Sequence, residues 1–89
     1  KDDIIDTVAL AVTAVGRLRA SYPALLAERY KLGDITAMSD LSDYDLFLTA
    51  ARKRGFIMSG GVVNEDRAAA VILDEFRAAR IGRITLELP

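Results

Sequence analysis

Apolar positions recur at helical spacing in four segments of the chain. Between Asp6 and Tyr22 the set Val8, Val12, Val15, Leu18 and Tyr22 falls at intervals of three and four, which predicts one buried stripe along a helix over 6–22. Asp6 can cap its start. Pro23 ends that helix and opens the next, because its fixed φ suits a first helical turn. Leu25, Leu26 and Tyr30 mark a short second helix over 23–31, which Gly33 breaks. Residues 34–41 carry only a weak pattern and read as a connector. At "LSDYDL" Ser42, with Asp45 three residues later, makes a start resembling a capping box, and Leu41 is placed to staple onto Leu46. The third helix is predicted over 43–54 with Leu46, Phe47, Ala50 and Ala51 inward, and Gly55 stands where a left-handed C-terminal cap is wanted. "FIMSGGVV" is a loop or turn with Ser59-Gly60-Gly61 as its flexible part. Asn64 caps a fourth helix over 64–81, with Ala68, Val71, Ile72, Phe76 and Ala79 inward and Gly82 closing it. The tail "RITLELP" alternates Ile84, Leu86 and Leu88, but no second segment offers it a partner strand, so it is expected to lie extended on the helices. The pattern predicts an all-α bundle of four helices with an extended C-terminal tail and no true sheet. Leu18, Leu46, Ile72 and Phe76 are its expected core.

Composition narrows the class. With 89 residues, 52% of them hydrophobic, and only two prolines, the chain is one compact domain, residues 1–89. It begins with Lys1, and "KDDIID" reads as the continuation of an earlier segment, so an excised domain or the C-terminal piece of a longer protein is expected. Cysteine and histidine are both absent. That removes disulfides, thiolate metal sites, cysteine nucleophiles, the commonest general base near neutral pH and the commonest zinc ligand. The longest uncharged run, Thr7 to Gly16, is far short of the roughly 20 residues of a membrane span, and acidic residues precede it, unlike a signal peptide. The simplest reading is a soluble cytoplasmic domain without a membrane partner.

Net charge is −1, which by itself calls for no polyanion. Its distribution is uneven: residues 1–49 hold five basic and eight acidic side chains, and residues 50–89 hold seven and five. Nine of the twelve basic residues are Arg, so an anionic ligand is better placed in the second half.

Three candidate chemistries follow. Gly55 and Gly60 have the spacing of a phosphate-binding loop, but Gly61 and Val62 stand where that motif needs Lys and a hydroxyl, and the segment leaves a helix rather than a strand. Asp40, Asp43 and Asp45 lack the alternating ligands and sixth-position Gly of a calcium loop, and they fit better as acidic groups at a helix N-terminus. No nucleophile has an identifiable activating base, so the domain reads as non-enzymatic. The basic residues are different. Arg52, Lys53 and Arg54 fan around the end of the third helix, Arg77 and Arg80 lie about 60° apart on the fourth at about 100° per residue, and Arg83 follows its cap. Such cations offset the negative end of a helix dipole. Six of them beside a Gly-Gly loop also suit phosphate, which Arg binds in a bidentate manner. Both readings stay open on these residues alone.

The blocks "KDDIID", "YPALLAERYKL", "RKRGFIMSGG" and "GRITLELP" resemble the C-terminal helical domain of the ribosome biogenesis GTPase A family, the YlqF-like GTPases. The likeness runs over nearly the whole chain, and the Arg-Lys-Arg-Gly…Gly-Gly and Gly-Arg-Ile-Thr blocks are its most specific parts. Phe56, where a smaller residue is expected, and Asn64, where Asp is expected, depart from the pattern. Asn caps a helix as well as Asp, so the fold is not threatened. The resemblance implies a circularly permuted GTPase that assists late assembly of the large ribosomal subunit, with GTP and magnesium bound by an upstream domain and no cofactor in this one. It implies a helical bundle similar to antiterminator RNA-binding (ANTAR-like) domains that docks on ribosomal RNA. Arg52, Lys53, Arg54, Ser59, Gly60, Gly61, Arg77, Arg80 and Arg83 are the expected RNA contacts. The alternatives are a protein-interaction or regulatory domain that packs on its own GTPase domain or on a ribosomal protein, and an enzyme domain with carboxylate chemistry.

Overall fold

Four helices carry the chain in the computed structural model, which describes residues 6–33 and 39–78. They are α1 (Thr7–Ser21), α2 (Pro23–Tyr30), α3 (Asp43–Lys53) and α4 (Glu65–Arg77), with a 3₁₀ turn at Ser59–Gly61 before the last. The only strand-like pairing among the described residues is a single antiparallel bridge, Ile57 to Val63. The predicted end of the fourth helix with Ala79, Arg80 and Gly82, then Arg83 and the tail Ile84, Leu86 and Leu88, lie outside the described residues.

Local chemistry sets the helix starts. Asp6 accepts from the Ala9 amide at 3.0 Å, Ser42 from the Asp45 amide at 3.1 Å and Asn64 from the Arg67 amide at 3.2 Å, each satisfying a first-turn N–H that has no partner within its helix. Pro23 takes the first turn of α2. The helix ends divide. Gly55 adopts φ +83 and closes α3 as expected, with its amide on the Arg52 carbonyl and the Phe56 amide on the Ala51 carbonyl, both at 3.0 Å. In α2 the stop comes earlier than Gly33. Lys31 is the left-handed residue, at φ 54 and ψ 47, and the Leu32 amide returns to the Ala27 carbonyl at 2.9 Å. Leu32 then packs against the core, so the chain gains by turning back before it reaches the glycine.

One core joins the elements. α1 packs on all three other helices, whereas α3 and α4 meet sparingly. Leu18, Leu46, Ile72 and Phe76 are buried as the pattern predicts, and α3 buries the expected four residues Leu46, Phe47, Ala50 and Ala51. α1 departs from its predicted stripe: Ala11 and Ala14 are buried with Val15 and Leu18, while Val8, Val12 and Tyr22 are partly buried at the margin. Alanine has little transfer energy of its own, but it lets neighbouring backbones approach closely, and α1 has three neighbours. In α4 Val71 is likewise only partly buried, and Ala69 and the charged Glu75 are inside.

Two polar ties fix the connections. Arg19 donates to the Leu41 carbonyl and to the Asp43 carboxylate, both at 2.6 Å, which holds the start of α3 on α1. Gly16 lies beneath that carboxylate, and a Cβ there meets it with no room to spare. Tyr44 donates to Glu65 at 2.7 Å and so links the N-terminal ends of α3 and α4.

Candidate nucleic-acid interface

Arg52 and Lys53 occupy the last turn of α3, exposed, and neither side chain has an ion-pair or hydrogen-bond partner among the described residues. The chain beyond them is a short hairpin stub. The Met58 amide donates to the Val62 carbonyl at 2.7 Å, the Asn64 amide to Phe56 at 2.9 Å, and the Gly61 amide to Met58 at 3.0 Å. Ser59-Gly60-Gly61 is therefore a hydrogen-bonded turn, not a slack loop. Gly60 at φ 85, ψ 4 and Gly61 at φ 80 supply two consecutive positive-φ positions that side-chain-bearing residues enter at a cost. Ile57, Met58 and Val62 project from the stub 47–58% exposed. The stub thus carries exposed apolar side chains on either side of its glycine turn.

Arg54 is turned the other way. Its guanidinium donates to Glu75 Oε2 at 2.7 Å, Arg29 donates to the same oxygen at 2.5 Å, and Tyr30 donates its hydroxyl to Oε1 at 2.8 Å. The carboxylate is 4% exposed and both guanidiniums keep about a third of their surface in water. Arg29 and Arg54 each lie 5.8 Å from the Tyr30 ring centre, and Arg54 lies 5.7 Å from that of Phe56, so the clamp adds cation–π contact to charge. Burial pushes the Glu75 carboxyl up, but hydrogen bonds from Arg54 and Tyr30 and the charges of Arg54 and Arg29 outweigh it and hold the group below its usual range. Burial, then the hydrogen bond to Glu75, pushes the Tyr30 phenol well above its own. The clamp therefore stays ionised and joins the ends of α2 and α3 to α4.

The remaining expected cations are separate from the turn. Arg77 stands about 18 Å along α4 from its first residue at 1.5 Å per residue. It lines an apolar groove of about 240 Å³ between α1 and α4, together with Leu10, Thr13, Ala14, Arg17 and Leu73. It lies about 200° around the helix from Glu75 and so on the far side of α4 from the clamp. Of the nine expected contacts, Arg52 and Lys53 stand exposed at the end of α3, Ser59, Gly60 and Gly61 form the turn of the stub that follows it, Arg54 joins the clamp, Arg77 lies apart, and Arg80 and Arg83 are outside the described residues.

Pattern reading missed Glu75, Tyr30 and Arg29 as a unit. One signal was present: Glu75 falls three residues after Ile72 and seven after Ala68, on the apolar stripe of its own helix. A carboxylate on a buried stripe needs a cation partner.

No described helix is long and apolar enough to cross a membrane, and no described group of three acidic residues could hold a metal ion. No protein-family model matches the chain. Over all 89 residues it is similar to ribosome biogenesis GTPase A of Bacillus pumilus and of Priestia megaterium, each 36% identical, and of Bacillus cereus, 34% identical. All of this chain is covered in each case, and it corresponds to the C-terminal 29–30% of those relatives, so it spans less than a third of their length.

Proposed function

We propose, for a chain that is a homologue of the C-terminal region of ribosome biogenesis GTPase A, that it is the RNA-docking domain of a ribosome-assembly GTPase and seats that protein on ribosomal RNA of the large subunit. GTP and magnesium then belong to the upstream part of the protein. The observation that carries the reading is the contrast within one triplet. Arg54 is engaged by Glu75, while Arg52 and Lys53 face solvent without a partner among the described residues, beside a turn whose glycines present bare backbone. Charge at a helix end needs no such clearance to offset a dipole, but a phosphate backbone does.

A second reading has its own observation. Ile57, Met58 and Val62 form an exposed apolar tip that suits contact with the GTPase domain or a ribosomal protein. Salt separates the two. Two phosphate contacts predict that log affinity for large-subunit rRNA fragments falls against log salt with a slope of about −2. Fluorescence anisotropy across a salt series checks this, and a flat line favours the apolar tip and overturns the RNA reading.

A further inference from the structure

We infer that Lys31, at the end of α2, is a third phosphate contact on the same surface as Arg52 and Lys53, so that two helix ends meet one RNA backbone together. The inference rests on the RNA reading above and assigns to it a residue that the basic runs of the second half do not include. Three observations meet at this position.

The first is convergence. Arg29 and Arg54 donate to the same oxygen of Glu75, and Tyr30 lies under both guanidiniums. The C-terminal ends of α2 and α3, Tyr30 and Lys53, are 23 residues apart in sequence and are thereby tied to one carboxylate. Lys31 directly follows Tyr30, and Lys53 directly precedes Arg54. The clamp itself holds two cations against one anion, so it leaves a net positive charge at these two helix ends rather than cancelling it.

The second is the backbone. Lys31 is the only non-glycine residue with positive φ among the described residues, at φ 54 and ψ 47. A helix that ends this way is served best by glycine, which enters the left-handed region without a Cβ clash. A lysine here is a local cost, and residues held at such a cost cluster where a side chain is used for binding.

The third is that no described residue engages the side chain by a hydrogen bond or an ion pair. The helix end is closed by backbone alone, through the Lys31 and Leu32 amides onto the carbonyls of Glu28 and Ala27. Lys31 is exposed and makes no ion pair among the described residues. Its ammonium is available to a phosphate, and it is a compact, flexible donor suited to one.

The test is Lys31→Gly, because the two roles move its two readouts in opposite directions. Thermal melting is expected to rise by about 2–5 °C as the left-handed position is relieved. Affinity for a labelled hairpin RNA, measured by anisotropy, is expected to fall about three- to tenfold, with the salt slope shallower by about one unit. Lys31→Arg keeps the charge and is expected to keep both the affinity and the slope. If Lys31→Gly leaves RNA affinity unchanged while Arg52→Glu with Lys53→Glu lowers it, Lys31 is not a contact and the RNA reading survives alone. If neither change moves affinity, both ideas fall. A loss of melting temperature in Lys31→Gly that tracks the loss of affinity also overturns the inference, since it makes the side chain structural.

Discussion

Replacing Glu75 by alanine is expected to destabilise the domain by about 3 kcal/mol, a fall in melting temperature of roughly 12–20 °C for a chain of this size. Breaking a buried ion pair by removing one partner costs about 3–5 kcal/mol when the other charge is stranded. The lower end applies because Arg29 and Arg54 are 32% and 28% exposed and can rehydrate. The Tyr30 hydroxyl, fully inside, loses its acceptor as well. Titration gives an independent check. The folded state holds Glu75 below its usual range, so it binds fewer protons than the unfolded chain as pH falls. The clamp's contribution is then fully present above the unfolded value of about 4.3 and is lost as pH drops through the lower folded value. Chemical denaturation between neutral pH and pH 3 should show a steeper loss for the parent chain than for Glu75→Gln, which has no carboxyl to protonate there.

Phe76→Ala is expected to cost about 3–5 kcal/mol. Phe76 is 4% exposed, one residue from the clamp, in a core otherwise rich in alanine. Ala11, Ala14, Ala50, Ala51, Ala68 and Ala69 cannot swing into the space left behind, so the cavity stays open. A chain of 89 residues has a total stability of about 4–13 kcal/mol, and the variant therefore approaches unfolding at 37 °C. Urea denaturation followed by circular dichroism measures the loss. A change below about 1 kcal/mol contradicts this account of the core.

Legibility followed the range of each interaction. Asp6, Ser42 and Asn64 cap through bonds to residues three positions away, and Gly55 closes α3 through bonds no longer than five, so the sequence displays both partners together. The stripe of α3 was also readable, because the whole helix buries one face. α1 was less so. Its contacts with three helices turn small Ala11 and Ala14 inward, and hydrophobicity alone ranks them below Val8 and Val12. Lys31 at the end of α2 was hidden behind Gly33, since the turn is set by where Leu32 packs. In the candidate site, Arg52, Lys53 and the Ser-Gly-Gly turn stood next to one another in the chain. The clamp did not: Glu75 meets Arg54 across 21 residues and Arg29 across 46, and only the fold separates the inward arginine from its exposed neighbours.

That separation is the centre of the account, and one paired measurement addresses it: RNA affinity and melting temperature on the same two variants, Arg52→Glu with Lys53→Glu, and Arg54→Gln. The first variant is expected to lose hairpin RNA binding at least tenfold while losing no more than about 2 kcal/mol of stability, because exposed charges contribute only about 0.3–1 kcal/mol each to a helix end. The second is expected to lose about 1–2 kcal/mol of stability, having removed one charged hydrogen bond to Glu75, while keeping RNA affinity within about threefold. The reverse pattern, with full RNA binding by the double variant and loss of binding by Arg54→Gln at unchanged stability, contradicts it.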